Sequence, residues 1–181
     1  RKDLKMKEIM LNNGEKMQYD RLISSAPLQH IIKNSDLDEL KPLAEELVYT
    51  SVYTVNIVMK GTVPDTHWMY FPDKDLSFYR ISFPKNYFKK STPGDEQIIA
   101  VEVGSRDHSR KMEDIEKTVV EEIKRMPIFN IEEIVFVHCI KIPVAYCIYE
   151  HKRPAIVQQL MNSLLDKDVH QIGRYGRWEY N

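Results

Sequence analysis

The sequence predicts an α+β fold: a mixed, mostly antiparallel sheet with covering helices, carried by one domain over residues 1–181. Three observations predict it. A long run, "VYTSVYTVNIVMKG" (48–61), is β-branched and aromatic almost throughout and closes on Gly61. Shorter runs of the same kind follow, separated by links too short for parallel crossovers. Segments with helical spacing of apolar residues lie between the strands, which marks α+β.

From the start of the chain, "MKEIMLNNGEKMQYDRLISSAPL" (6–28) predicts a hairpin. Asn12-Asn13-Gly14 tolerates positive φ at its turn, and the second arm runs from Tyr19 to Ser25 before Pro27 ends it. "SDLDELKPLAEEL" (35–47) predicts a helix capped by Ser35, with Asp36, Asp38 and Glu39 in its first turn. Pro42 threatens a kink or a division into two short helices. "HWMYFP", "FYRISF" and "QIIAVEVG" (97–104) read as strands. Their turns are Pro64-Asp65, Pro72-Asp73-Lys74-Asp75 and Pro93-Gly94-Asp95. "MEDIEKTVVEEIKRM" (112–126) is a helix with Ile115, Val119 and Ile123 on one face, ended by Pro127. "EIVFVHCIKIPVAY" (133–146) is a further strand. "RPAIVQQLMNSLLDK" (153–167) is a helix with Pro154 in its first turn, and the closing "GRYGRWEY" is read as extended.

Composition narrows the function. The chain has 26 Lys plus Arg against 27 Asp plus Glu, so there is no basic excess of the kind a nucleic-acid binder uses to replace counterions. A small anionic ligand needs only two or three placed cations. No apolar run approaches the roughly 20 residues of a membrane span, and no signal peptide is visible. Two cysteines, Cys139 and Cys147, make no disulfide framework, which points to a reducing, cytoplasmic setting. The chain opens on Arg1 without methionine and stops at Tyr180-Asn181 without a tail, the pattern of a piece of a longer protein. Neither GxGxxG, GxxxxGK[ST] nor GxSxG occurs, and the six histidines show no metal-ligand spacing. No catalytic residue and no metal site is therefore assigned within these residues.

One side-chain pattern stands out. Alternate residues of a strand share a face, so Phe78, Arg80 and Ser82 are expected on one side and Tyr79, Ile81 and Phe83 on the core side. Trp68 and Tyr70 share a face likewise. If the two strands pair, an aromatic polar wall forms with Arg80 in it. A guanidinium is a planar fork that matches phosphate, and a tyrosine adds a hydroxyl on a rigid plate. Two readings stand side by side: an anion pocket, or an Arg80 paired with a carboxylate such as Glu102 on the next strand. In the closing segment Arg174, Trp178 and Tyr180 share a parity if extended. Gly173 and Gly176 would let a ligand or another backbone approach. Arg177 and the basic stretches "KNYFKK" and "SRDHSRK" read as solvated.

"YDRLISSAPL", "WMYFPDKDLSFYR", "AY" at 145–146 and "GRYGRWEY" occur in an order and at spacings that resemble UDP-galactopyranose mutase, within the amine-oxidase and protoporphyrinogen-oxidase-like flavoproteins. The resemblance runs from about Gly14 to the end. It implies the substrate-binding portion of a two-domain flavoprotein, with the flavin fingerprint absent and FAD bound largely by segments outside this chain. It implies cofactor chemistry at the anomeric carbon of a nucleotide sugar, interconverting pyranose and furanose for cell-surface polysaccharide synthesis, while the protein orients the substrate. Carried over by motif, Tyr70, Arg80, Tyr146, Arg174 and Tyr180 are implied to bind the diphosphate. At Tyr146 the family continues with prolines and a threonine where this sequence has Cys147-Ile148-Tyr149. The alternatives are an amine-oxidase-like FAD oxidoreductase and a non-catalytic nucleotide-sugar binding module; homo-oligomerisation is left open.

Overall fold

The computed structural model describes residues 7–92 and 94–180; Met6 and Pro93, used above for a hairpin arm and a turn, lie outside them. Among the described residues the fold is α+β, with mostly antiparallel strand pairs, a parallel pair and helices packed on the sheets. The chain divides into two compact units, 50–145 and the two flanking segments 1–49 and 146–181.

The unit of 50–145 is built on a five-stranded sheet. Four of its strands follow from β-branched and aromatic runs: β4 (Tyr49–Thr62), β5 (Trp68–Tyr70), β6 (Arg80–Ser82) and β7 (Gln97–Ser105). The fifth is β8 (Asn130–Cys147), and the spatial order is β5-β6-β7-β4-β8. The pairs β5–β6, β6–β7 and β4–β7 are antiparallel. Period-two burial along β4 sends Tyr53, Val55 and Ile57 into a core with Ile99, Val101 and Val103 of β7. Helix α4 (Met112–Arg125) covers that face with Ile115, Val119 and Ile123, spaced four apart on one stripe. The opposite face carries Tyr70, Arg80, Glu102 and Thr54 as successive cross-strand neighbours.

The flanking unit joins segments far apart in sequence. The hairpin is real but shorter than expected: β1 (Glu8–Met10) pairs with β2 (Lys16–Gln18) across the Asn12-Asn13-Gly14 turn, Gly14 having φ +86°. The expected second arm from Tyr19 to Ser25 is a separate strand, β3 (Leu22–Ser24), parallel to β9 (Val169–Gln171). The local turn cannot specify this pairing, because the partner comes about 150 residues later.

Pro27 ends β3 as expected, and it also starts α1 (Leu28–Lys33), a helix the sequence reading left out. The Pro27 carbonyl accepts the His30 N–H at 2.8 Å, and Leu28 and Ile32 are fully buried one turn apart. The helix expected over 35–47 is a 3₁₀ turn (Asp38–Leu40) followed by α2 (Lys41–Glu45). Pro42 lies in the first turn of α2, where a missing N–H costs nothing; inside one continuous helix it would remove a hydrogen bond. Ser35 caps neither piece. Its Oγ donates to Ile32 O at 2.8 Å and accepts Leu37 N–H at 3.2 Å, which closes the turn after α1. Helix α5 (Arg153–Leu165) buries Ile156, Leu160 and Leu164 and leads through β9 into α6 (Gly173–Gly176). Part of "KNYFKK", read as a loop, belongs to the short helix α3 (Pro84–Tyr87).

Candidate functional site

Each unit holds part of the expected set. On the sheet face opposite α4, Tyr70 and Arg80 are direct cross-strand partners, and the Arg80 Cζ lies 6.0 Å from the Tyr70 ring centre. Tyr70 is 62% exposed, so much of the residue is open to solvent beside Arg80. Trp68 stands on the same face beside it, opposite Ser82.

The expected companion of Arg80 is different. Phe78 is buried in the core with its ring edge-on to Phe71, 5.3 Å away, and does not share the Arg80 face. The alternation breaks at Tyr79. The Tyr79 N–H donates to Glu102 O at 3.0 Å, while Arg80 is the residue registered opposite Glu102. Two residues thus oppose one, the arrangement of a β-bulge, which re-aims side chains beside it. In consequence both side chains reach one carboxylate. The Arg80 guanidinium donates from Nη2 to Glu102 Oε1, and the Tyr79 hydroxyl donates to Oε2 at 2.5 Å.

The Glu102 side chain is only 12% exposed. Arg80 Nε is buried with no hydrogen-bond partner among the described residues. Burial works against the Arg80 charge, but hydrogen bonds to Glu102 and Tyr70 outweigh it and hold the pKa above the ordinary arginine value. The structural pairing weighed from the sequence is therefore present, with part of the donor fork outside it.

The other three residues meet in the flanking unit. Tyr146, near the end of β8, stacks on Tyr180 with ring centres 5.3 Å apart and planes 26° apart. The Arg174 guanidinium carbon lies 5.3 Å from the Tyr146 ring centre and 4.9 Å from that of Tyr175. The closing segment is not extended, so strand parity is not what gathers these side chains. Arg174 sits in the single turn of α6, and Trp178 takes a left-handed φ of +55°. That turn is held by its surroundings: the Trp178 carbonyl accepts Arg153 Nε at 2.9 Å, and the buried indole meets Tyr49 edge-on at 6.0 Å. Beyond it, the Tyr180 N–H donates to the Tyr149 hydroxyl at 2.9 Å, and Arg153 lies over the Tyr149 ring at 4.1 Å.

Sequence reasoning missed Tyr149, Tyr175 and Arg153 as members of this cluster. Tyr149 belongs to the Cys147-Ile148-Tyr149 departure already noted, which was the available signal. Arg153 was hidden as the first residue of a helix.

The glycines of this segment serve the backbone. Gly173 has φ +67°, and a Cβ on Gly176 would lie 2.7 Å from Gln171 Oε1 and 3.1 Å from Ser24 O. At Gly176 the close approach is therefore made by polypeptide, whereas nothing lies within 4 Å of a Cβ placed on Gly173. Among the described residues, no three of His, Cys, Asp and Glu are grouped to hold a metal ion, and no helix is long and apolar enough to cross a membrane.

No protein-family model matches the sequence. The fold has known counterparts. A reduced UDP-galactopyranose mutase superposes with TM-score 0.83 at 26% identity, covering 97% of this chain and 40% of its own. A protein assigned as a protoporphyrinogen oxidase from Exiguobacterium sp. 255-15 superposes with TM-score 0.72 at 13% identity, over 93% of this chain and 39% of its own. A CLA-producing fatty acid isomerase from P. acnes does so with TM-score 0.60 at 14% identity, over 92% and 39%. The chain thus has the fold of part of a UDP-galactopyranose mutase and of protoporphyrinogen-oxidase-like proteins, and spans about two fifths of their length.

Proposed function

We propose that this chain is the substrate-binding part of a flavin-dependent, UDP-sugar mutase-like enzyme, in which it holds the diphosphate of a nucleotide sugar. The observation that carries the reading is the convergence of Tyr146, Arg174 and Tyr180, a guanidinium set against stacked phenol rings. Within the other unit, the Tyr70–Arg80 pair on the sheet face offers the same two donor types. Similarity to a mutase at 26% identity along nearly the whole chain supports it.

In this reading the chain binds and orients. Arginine N–H groups and tyrosine hydroxyls take the phosphate oxygens, and they hold the leaving diphosphate as its charge grows. The aromatic plates keep water from one side of the sugar. FAD would supply the covalent chemistry at the anomeric carbon. The glycine-rich dinucleotide fingerprint that would cradle the flavin pyrophosphate does not occur in this sequence. The cofactor is assigned to segments outside it. Cytoplasmic location and a role in cell-surface polysaccharide synthesis belong to the same proposal, and two free, buried cysteines fit a reducing compartment.

Calorimetric titration of UDP into the full-length protein tests the proposal. Arg80→Ala and Arg174→Ala should each weaken binding by about 1.5–3 kcal/mol, the worth of a charge-assisted hydrogen bond. Unchanged affinity in both would remove the diphosphate.

A second reading, an amine-oxidase-like FAD oxidoreductase acting on an uncharged or cationic substrate, is favoured by one observation. Glu102 already neutralises Arg80. In that case neither substitution alters UDP binding.

A further inference from the structure

We infer that Glu102 is a specificity-determining residue beside Arg80 on the sheet face, a resident counter-ion that the incoming diphosphate displaces from part of the guanidinium. The inference rests on the proposal that Arg80 faces a diphosphate. Three observations carry it. Glu102 lies on the same sheet face as Arg80 and Tyr70, directly across the strand from Arg80. Its carboxylate is bound at both oxygens, one by Arg80 and one by Tyr79, and is largely buried. The bulge brings both donors to it, so the pairing is built into the backbone.

Three consequences follow. Without ligand, Arg80 is held in one orientation and its charge is cancelled locally, so the face does not collect anions indiscriminately. A ligand gains from Arg80 only by offering enough negative charge to outweigh the like charge of Glu102 beside it, which selects diphosphates over singly charged or neutral nucleosides. When the diphosphate leaves, the guanidinium returns fully to a partner already in place.

Glu102→Gln tests this, because it removes the charge and keeps the length, leaving one oxygen to accept from Arg80 and an amide N–H that the Tyr79 hydroxyl can turn to accept. Affinities for UDP and for uridine are measured side by side by calorimetry on the full-length protein, with Arg80→Ala in the same series. The expected result is UDP binding roughly three- to tenfold tighter in Glu102→Gln, from loss of a like charge near a dianion, with uridine unchanged. UDP affinity unchanged or weakened in a protein of unaltered Tm overturns the inference and leaves Glu102 as a structural clamp. An equal gain for uridine also overturns it, since the effect would not be electrostatic. If Glu102→Gln folds poorly, Glu102→Met carries the same expectation and the same refutations. Loss of UDP affinity in Arg80→Ala without a gain in Glu102→Gln sinks this inference alone. No loss in Arg80→Ala removes Arg80 from the diphosphate site, and the same result in Arg174→Ala as well sinks the diphosphate reading beneath it.

Discussion

Gly61 is the position where a single atom decides most. Its φ of +125° is open to glycine and strained for any L side chain, and a Cβ there would lie 1.9 Å from Asn130 O. Gly61→Ala should therefore destabilise by about 3 kcal/mol or more, combining backbone strain with a steric clash, read as a lowered Tm. Gly173→Ala is the useful contrast: φ is +67° but nothing lies within 4 Å of the added carbon, so only the left-handed penalty of about 1–2 kcal/mol applies. The cysteines give a chemical prediction at the same scale. Burial pushes the thiols of Cys139 and Cys147 up, reinforced at Cys139 by Glu116 and Glu113 and opposed at Cys147 by Arg153. A raised pKa keeps both as neutral thiols at pH 7, and the thiolate is the reactive form. Native protein should react with a thiol reagent far more slowly than urea-unfolded protein; equal rates would contradict the burial.

Elements follow from pattern where the pattern is long. Helix α4 was legible because Ile115, Val119 and Ile123 repeat every four residues over fourteen, and the same stripe is the one buried. Ile123→Ala should cost about 2–4 kcal/mol in a denaturant titration, from lost transfer energy and the cavity left behind. The long strand β4 was legible for the same kind of reason. Short elements were not. Helix α1 offers only Leu28 and Ile32 as its buried pair, too few to show a period, and Pro42 divides the following helical stretch. The β-bulge at Tyr79 could not be read from alternating residues, since it is a departure from alternation. That departure is what places Phe78 in the core, and Arg80 with Tyr79 on one carboxylate.

At the scale of the whole chain, the two units each carry part of the five expected residues: Tyr70 and Arg80 in one, Tyr146, Arg174 and Tyr180 in the other. The sequence contains no glycine-rich dinucleotide fingerprint, and the chain spans about 40% of the mutase it resembles. Residues 1–181 expressed alone should therefore purify colourless and without stoichiometric flavin, as judged by their visible absorption spectrum. A yellow, flavin-saturated product would show that these residues alone hold the cofactor. What the sequence determined by itself was the α+β class, the long strands and helices, and the motifs that single out the five residues. All of these depend on local periodicity or on residue identity in order. Only the tertiary structure decided that β3 pairs with β9, that Glu102 occupies Arg80, and that a left-handed turn at Trp178 brings Tyr180 onto Tyr146. These depend on partners many residues away and on backbone irregularities, which no local pattern encodes.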